Sequence, residues 1–469
     1  MAEIFLTNTL THKKEKFVSI KADSVGIYSC GPTVYWNQHI GHMFAYVHWD
    51  VLVRFFRFMG YKVNWVMNLT DVGHMTSDED TGEDKMEKGA KREGVSVWDI
   101  AQKYIDQFKN SMNLLNINSP DVLCRATEHI DEQIELIKKL EKNGFTYKTK
   151  TGLVFDTSKF PDYAKFAGLN LNELKSGSRV LVDEEKKQPW DFLLWVTNQP
   201  NHIMQWDSPW GKGFPGWHIE CTAMSSKYLG NKFDIHTGGK EHIPVHHTNE
   251  IAQAFGAEGT QTANYWLHNE WLLIGGKKMS KSDGNFLTVQ DVVQKGFDPL
   301  ALRYLILNSH YKKGLDFSFE SLKAAQSALN KLRELTVSFK NGVRTTLSPE
   351  KELKINKFRE EFIIALSDDL NIPQALAVTW NMVKSNISSE DKYDLLLSFD
   401  EVLGLNLSEQ KEIIVSDEIK ELSNKREELR KSGKFEEADE VRKEIERQGY
   451  KLEDTKEGIL IKPISNSKV

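Results

Sequence analysis

The chain has few cysteines, no long apolar runs and no excess of positive charge, and each absence argues against a class of protein. Three cysteines in 469 residues are too few for a disulfide framework, so we expect a reducing, cytoplasmic setting with thiols available for metal or chemistry. No run of about 18 apolar residues and no secretory pattern occurs, so we expect no membrane span and no signal peptide. A net charge of −6 argues against a non-specific nucleic-acid binder, while local basic patches leave contact with RNA open.

The first part of the chain has the hydrophobic pattern of an α/β protein. Residues 25–30 form a short apolar strand, and apolar residues then recur at helical spacing over 41–59, where Gly60 ends the helix. Residues 61–69 predict a second strand. Because strand, helix and strand in this order form a βαβ unit, we expect a Rossmann-type parallel sheet.

The rest of the chain divides by pattern. Residues 126–205 predict an α/β insertion with a helix at 128–142, after which the sheet resumes with a helix at 217–229, a strand at 233–236 and a helix at 245–255. From residue 318 onward, apolar residues at helical spacing predict a bundle of helices. A helical hairpin over 418–448 follows, turning at 431–434. One face of that hairpin is predicted to carry Phe435, Ala438, Val441 and Ile445.

The string His39-Ile40-Gly41-His42 predicts a phosphate site. A His-x-Gly-His tetrapeptide is expected about 0.03 times in a chain of this composition. It lies between the first strand and the following helix, where ligands of open α/β sheets bind. The helix N-terminus offers free N–H groups, Gly41 permits close approach of the backbone, and the two imidazoles supply donors to a charged phosphate. A helix start that merely contains two histidines is the alternative interpretation.

A second string, Lys278-Met279-Ser280-Lys281-Ser282, follows about 240 residues later. Glycines flank it, so it reads as a loop with hinges from which a lysine reaches a triphosphate and stabilises its transition state. A solvated basic loop is the alternative for this string alone. The two strings together, in this order, resemble the signature pair of class I aminoacyl-tRNA synthetases.

Four side chains carry donor atoms that suit a zinc site: Cys30, Cys221, His246 and Glu250. Two thiolates, an imidazole and a carboxylate are ligands that Zn²⁺ accepts. His246 and Glu250 are four residues apart in a predicted helix and therefore share a face. His247 is the rival ligand, and a helix would turn it about 100° from that face.

The spacing of the cysteines is weaker evidence for a metal site. Cys124 has no metal-type neighbours in the sequence and is expected to be a packing residue. There is also no Cys-x-x-Cys spacing, so a buried cysteine or a capping histidine is the alternative for each ligand.

Beyond these motifs, the chain resembles cysteinyl-tRNA synthetase over essentially its whole length. The resemblance rests on these strings: Tyr28-Ser-Cys-Gly-Pro-Thr-Val-Tyr35, Asn68-Leu-Thr-Asp71, Pro215-Gly-Trp-His-Ile-Glu-Cys221, His246-His-Thr-Asn-Glu250, Asp298-Pro-Leu-Ala-Leu-Arg-Tyr304, Asp368-Asp-Leu-Asn371 and Glu436-Glu-Ala-Asp439. Two departures stand out. The family usually shows three glycines and an aspartate after the 233–236 strand, where this chain has Thr237 and Glu241.

The resemblance implies a role for each of these residues. The zinc ligands would be Cys30, Cys221, His246 and Glu250. The catalytic residues acting on ATP would be His39, His42, Lys278 and Lys281, and ATP would also contact Gly41. Trp217 would line the pocket for the substrate side chain, with Thr70 nearby.

The reaction implied has two steps. The carboxylate of L-cysteine attacks the α-phosphate of Mg²⁺-bound ATP, and the cysteinyl group then passes to the 3′-terminal adenosine of tRNA(Cys). A zinc-bound thiolate explains rejection of serine, whose hydroxyl is a poor zinc ligand, so no editing domain is required. We expect one Zn²⁺ per chain and a monomer.

The resemblance also implies a division of the chain into functional regions. The expected regions are the first half of the Rossmann catalytic domain (1–125), a connective-peptide insertion (126–205), the second half of the catalytic domain (206–275), the KMSKS loop with a stem-contact region (276–317), a helical bundle on the anticodon side (318–405) and a C-terminal anticodon-binding domain (406–469).

Three other functions remain open from the sequence. A cysteine ligase that uses a sugar-amine acceptor shares the adenylate chemistry, but such relatives lack the full C-terminal tail. A class I synthetase for another amino acid, such as methionine, would not need both Cys30 and Cys221. A non-catalytic RNA-binding adaptor would not need both phosphate strings.

Overall fold

The computed structural model describes residues 2–72, 84–168, 185–279, 284–340, 348–408, 417–448, 450–455 and 458–463. Two compact units make up the chain, residues 1–408 and residues 409–469. Among the described residues we find no helix with the length and apolar character of a membrane span.

The strands are numbered in chain order. They are β1 (Phe5–Asn8), β2 (Lys13–Lys16), β3 (Ser24–Ser29), β4 (Lys62–Leu69), β5 (Val122–Arg125), β6 (Thr146–Lys148), β7 (Gly152–Phe155), β8 (Phe192–Thr197), β9 (Gly213–Pro215), β10 (Phe233–Gly239), β11 (Ala263–Asn269), β12 (Leu272–Ile274), β13 (Lys277–Lys278), β14 (Leu315–Phe317), β15 (Tyr450–Thr455) and β16 (Gly458–Pro463).

The α-helices are numbered in the same way. They are α1 (Ile40–Phe58), α2 (Lys85–Glu93), α3 (Val97–Leu114), α4 (Ile130–Lys142), α5 (Trp217–Leu229), α6 (Thr248–Glu258), α7 (Val289–Gln294), α8 (Pro299–Leu307), α9 (Phe319–Lys340), α10 (Pro349–Ser367), α11 (Ile372–Lys384), α12 (Ser389–Leu403), α13 (Asp417–Lys431) and α14 (Phe435–Arg447).

The centre of the first unit is a five-stranded parallel sheet in the order β11-β10-β3-β4-β5. Strand β10 is buried along its whole length, as is usual for a parallel sheet that is covered on both faces. From β3 the chain proceeds to β4 and β5 on one side, whereas β10 and β11 lie on the other side. The strand order therefore reverses between β3 and β10, and ligands of such sheets bind at this reversal. The Rossmann-type α/β fold predicted from the sequence is confirmed.

Helix α1 joins the sheet to the helices that follow it in the chain. It packs against β4, α8 and α12. At the centre of this contact the buried guanidinium of Arg303 donates to Asp50 Oδ2 at 2.6 Å and to the carbonyl of Leu403 at 2.7 Å. A buried charge is stable only when it is paired and hydrogen-bonded in this way. The buried Arg303 thus links α1 to α8 and α12.

The segment between β5 and α5 contains a second sheet. Strands β6, β7, β8 and β9 form a four-stranded antiparallel sheet in that order. Helix α4 packs against α5 and α6 of the main sheet's covering layer. The sheet uses residues up to Pro215, so its strands extend beyond residue 205. The division of the first 405 residues into functional regions stays a prediction.

The second unit has a small core of its own. Helices α13 and α14 form the predicted hairpin, and Ile419 and Ile445 of these helices pack with Leu452 of β15 in the core of the unit. A two-stranded sheet, β15-β16, follows the hairpin and was not predicted. Phe435 was expected on the packed face with Ala438 and Ile445, but its side chain is 63% exposed. That expectation is wrong because Phe435 is the first residue of α14 and lies at the turn.

Candidate functional site

A cavity of about 770 Å³ opens at the reversal of strand order. Cys30, directly after β3, and Gly239, at the end of β10, both line it. The cavity therefore lies beyond the carboxyl ends of parallel strands, where the sequence predicted the ligand site. The structure brings most of the predicted residues to it. Those that line the cavity are Cys30, His39, Gly41, His42, Thr70, Trp217, Cys221, His246 and Lys278.

Two predicted residues are not among those that line the cavity. Glu250 is fully buried behind the wall, next to His246. Lys281 lies outside the described residues, as do Ser280 and Ser282. The action of Lys281 on ATP therefore stays a prediction.

The two histidines of the first string cap helix α1 reciprocally. The backbone N–H of His42 donates to Nδ1 of His39 at 3.3 Å, and the N–H of His39 donates to Nδ1 of His42 at 3.2 Å. Their rings are stacked, with centroids 3.7 Å apart. Because each Nδ1 accepts a hydrogen bond, the neutral rings carry their own protons on Nε2. Burial holds the pKa of His42 well below its usual value, so this ring stays neutral.

The chain around the second string contacts the first string directly. The N–H of Ile40 donates to the carbonyl of Leu287 at 2.8 Å. Residue His39 forms an isolated bridge with Thr288, and the ring of Phe286 lies edge-on to His39. Strand β13, which ends at Lys278, pairs with β12. The two distant strings therefore form one site.

A buried cluster of thiols, imidazole and carboxylate lies at the base of the cavity. One ligand atom from each of Cys30, Cys221, His246 and Glu250 lies within 4.8 Å of the others. His246 Nε2 is 3.1 Å from Glu250 Oε1. The four residues are the ones predicted from the sequence, and the donor set fits Zn²⁺ in kind and number.

Rival ligands lie in the same cluster. A second group within the same limit consists of Cys30, His236, His247 and Glu250. His247 Nε2 is 3.2 Å from the sulfur of Cys30 and 3.9 Å from Glu250 Oε1. His247, the rival ligand, was expected to be turned about 100° from the face of Glu250, but its ring lies close to that carboxylate. Residues three apart on a helix are also neighbours, and a π-helical turn, Ile243–His247, precedes α6 where a regular helix was predicted.

Access to the cavity separates the two groups. Cys30, Cys221 and His246 line the cavity, whereas in the second group only Cys30 does. His247 instead shares a hydrogen bond between its Nδ1 and Nε2 of His268, at 2.7 Å. A zinc ion that meets a substrate keeps one position open to it. The geometry therefore favours the first group.

Charges within the cluster change the pKa of its members. Burial raises the pKa of the Cys30 thiol, and the hydrogen bond with Cys30 followed by burial raises that of Cys221. Burial alone would lower the pKa of His246, but Cys221 and Glu250 raise it to about 10. Burial alone would raise the pKa of Glu250, but His236 and His246 lower it to about 2. In these protonation states both thiols are neutral at neutral pH, and the charged pair of the cluster is His246 with Glu250.

Two histidines that the sequence analysis did not select hold these ligands in place. His236 Nε2 is 2.9 Å from Glu250 Oε2, and its ring is stacked on Trp266. His218 Nδ1 is 2.9 Å from His246 Nδ1, which leaves Nε2 of His246 for a metal. Partners of this kind orient metal ligands. The sequence signal for His218 is its position in the same string as Cys221, and that for His236 is its position at the end of the predicted 233–236 strand.

Trp217 and Thr70, which are expected around the substrate, come from different elements of the fold. The ring of Trp217 is 4.4 Å from that of His246, centroid to centroid. Thr70 follows β4, and its N–H donates to the carbonyl of Pro32 at 3.1 Å. Both line the cavity. Their contact with a substrate stays a prediction.

The departures at Thr237 and Glu241 have structural partners. Thr237 is buried, and its hydroxyl donates to Ser29 Oγ at 2.8 Å, which links β10 to β3. The carboxyl of Glu241 folds over Gly239, where a Cβ would lie 2.4 Å from it. Its Oε2 accepts a hydrogen bond from Nε1 of Trp271 at 2.9 Å.

Comparisons with known proteins show the family of the chain. The family described as tRNA synthetases class I (C) catalytic domain matches residues 16–327. Cysteine–tRNA ligase of Treponema denticola is 44% identical, over 96% of this chain and 97% of its own length. Cysteine–tRNA ligase 1 of Burkholderia lata is 45% identical, over 97% and 95%.

Among solved structures, a methionyl-tRNA synthetase of Mycobacterium tuberculosis in complex with methionyl-adenylate superposes with a TM-score of 0.55 at 15% identity. That match covers 81% of this chain and 88% of the other and concerns the fold alone. The sequence relatives match over nearly their full length. The chain therefore belongs to the cysteine–tRNA ligase family of class I tRNA synthetases.

Proposed function

We propose that the chain activates L-cysteine with ATP and transfers it to the 3′-terminal adenosine of tRNA(Cys), with a zinc ion selecting the substrate thiolate. Its family makes it an ATP-dependent ligase of cysteine and tRNA. The zinc ion, the ligand set and the role of each side chain are the proposal.

One observation carries the zinc proposal. Three of the four clustered donors, Cys30, Cys221 and His246, line the same cavity as His39 and Lys278. Bound there, zinc would supply a soft Lewis acid that holds the thiolate of cysteine and binds the hydroxyl of serine poorly. The chain's own contribution is to place that thiolate beside the phosphate site. Such selection exceeds the roughly 1–3 kcal/mol that an apolar pocket gains from one methylene group.

The other end of the cavity suits the α-phosphate of ATP. The N-terminus of α1 offers backbone N–H groups and the positive end of the helix dipole. The Nε2–H groups of His39 and His42 are donors, and Gly41 presents no side chain to the phosphate. We assign Lys278 and Lys281 to the charge that develops on the triphosphate, which arrives with Mg²⁺. Trp217 and Thr70 enclose the amino acid.

The acceptor and the setting complete the proposal. Relatives that match over at least 95% of this chain and of their own length favour tRNA over a sugar amine as the acceptor. We assign anticodon recognition to the C-terminal part, residues 406–469, and expect a cytoplasmic monomer. A non-catalytic adaptor is not favoured, because two phosphate strings and a metal cluster share one cavity.

Amino-acid-dependent exchange between ATP and pyrophosphate tests this function. The purified chain is assayed with cysteine, serine, alanine and methionine, before and after treatment with a chelator. We expect exchange with cysteine alone, its loss after chelation and its return with Zn²⁺. Exchange with serine at a similar rate, or exchange that chelation leaves intact, would overturn the zinc proposal. Charging of tRNA(Cys) in the same preparation tests the acceptor.

A further inference from the structure

Trp271 lies on the cavity wall beside the strand pair that presents Lys278. It directly precedes β12, which pairs with β13 so that Leu273 faces Lys278. Its backbone is held on both sides, since its carbonyl accepts from the N–H of Leu315 and its N–H donates to Glu270 Oε1. Trp271 is therefore a fixed platform next to an exposed lysine.

Two ammonium groups lie against this indole. The Nζ of Lys278 is 3.1 Å from the centroid of the Trp271 ring, and the Nζ of Lys240 is 3.5 Å from it. Lys240 is also paired with Glu270. An ammonium over the face of a tryptophan is attracted by the negative potential of the ring. Lys278 therefore has a preferred position although its side chain is solvent-exposed.

The tilt of the indole is set by a second contact. The carboxylate of Glu241 accepts a hydrogen bond from Nε1 of Trp271 at 2.9 Å. Glutamate is one methylene longer than aspartate, and this length lets the carboxylate cross Gly239 to reach the indole. Trp271 and Glu241 both line the cavity with Lys278.

We propose that Trp271 is a positioning residue that holds the ammonium of Lys278 at the cavity wall, ready for the triphosphate of ATP. A free lysine side chain occupies many rotamers, and ordering it costs conformational entropy. Contact with the indole orders it before ATP binds, and the charge that appears during adenylate formation then meets an oriented cation. This inference rests on the proposed role of Lys278 in the activation step.

The test is a set of four variants assayed by cysteine-dependent exchange between ATP and pyrophosphate. Trp271→Leu removes the π face, Trp271→Phe keeps one, Lys278→Met removes the charge, and a double variant combines Trp271→Leu with Lys278→Met. Trp98→Leu is the matched control, because Trp98 lies on α3 with half of its side chain exposed. Thermal unfolding of each variant checks that it is folded.

We expect Trp271→Leu to lower kcat for exchange on the order of three- to tenfold with an unchanged KM for cysteine. Trp271→Phe should retain most of the wild-type kcat, and the double variant should be no slower than Lys278→Met alone. Trp98→Leu leaves the rate unchanged.

Additive losses in the double variant, or an equal loss in Trp271→Phe, would overturn the role of Trp271. If Lys278→Met leaves exchange intact, the assigned role of Lys278 fails, and the positioning role of Trp271 fails with it. The two failures are therefore distinguished by the Lys278→Met variant alone.

Discussion

Met279 packs directly against Gly41, so that a Cβ at Gly41 would lie 2.7 Å from Cε of Met279. The same Cβ would be 2.9 Å from the ring of His39. Met279 of the second string is thus in contact with Gly41 of the first string, and each limits the space open to the other. Gly41 has ordinary helical backbone, so a side chain is excluded by its neighbours and not by its own conformation.

Gly41→Ala should therefore lower activity without lowering stability. Alanine is a better helix former than glycine by about 0.5–1 kcal/mol, and the terminal methyl of Met279 can move aside. We expect kcat for exchange between ATP and pyrophosphate to fall on the order of 10- to 100-fold as His39 is displaced and the phosphate loses its approach. Thermal unfolding should change little. A variant that is both stable and fully active would contradict the predicted phosphate site at Gly41.

His246→Ala and His247→Ala should differ in metal content. If zinc occupies the group that lines the cavity, His246→Ala loses a ligand and with it most of the bound metal and activity. His247→Ala loses a hydrogen-bond partner of Cys30 and should keep its metal with reduced affinity. Elemental analysis of folded, gel-filtered protein measures both. The reverse pattern would assign the metal to the group that contains His236 and His247.

Deleting residues 409–469 should separate the two reaction steps. The apolar core of the first unit ends at Leu407, and the second unit has its own core around Ile419 and Ile445. We expect exchange between ATP and pyrophosphate to be nearly unchanged and charging of tRNA(Cys) to fall sharply. Equal loss of both activities would indicate that the C-terminal unit stabilises the catalytic one and would contradict the assignment of tRNA recognition to it.

His48 should make stability depend on pH. Its Nδ1 and Nε2 are 2.8 Å and 3.0 Å from the carbonyls of Phe44 and Ser309, and burial lowers its pKa to about 4. The unfolded chain, with a histidine pKa near 6.5, binds the proton first, so stability present above pH 6.5 is lost as pH falls toward 4. Between pH 7 and pH 5 the wild type should lose about 2 kcal/mol more free energy of unfolding than His48→Gln.

Urea unfolding of both proteins at the two pH values measures this difference. Glutamine keeps an N–H donor, as the neutral imidazole does, but does not titrate, so it is a matched comparison. Equal losses in the two proteins would show that His48 titrates as it does in the unfolded chain.

Patterns of local spacing predicted the elements that form the site. Helix α5 begins and ends where the sequence indicated, because its apolar residues and the flanking glycines at 216 and 230 are local signals. The position of Cys30 after an apolar strand likewise predicted its place at the sheet edge. The spacing of apolar residues and the strand–helix–strand order of the elements therefore predicted where the cavity lies.

Contacts between distant segments could not be predicted in this way. The π-helical turn before α6 and the stacking of His236 on Trp266 depend on tertiary packing. The contact between Trp271 and Lys278 was missed because a half-buried aromatic residue beside a strand carries no periodic signal. The hairpin formed by β15 and β16 was not predicted because charged residues interrupt the alternation of apolar residues along it.

The metal content of two cysteine variants shows whether Cys221 helps to hold a zinc ion that selects cysteine. Cys221→Ser removes a proposed ligand, whereas Cys124→Ser changes a buried thiol whose pKa burial raises to about 12 and whose partner is the carbonyl of Met67. Elemental analysis and cysteine-dependent exchange are measured on both. We expect about one zinc per chain in the wild type and in Cys124→Ser. In Cys221→Ser we expect loss of zinc and a raised KM for cysteine. Full zinc content and unchanged preference for cysteine over serine in Cys221→Ser would contradict this expectation.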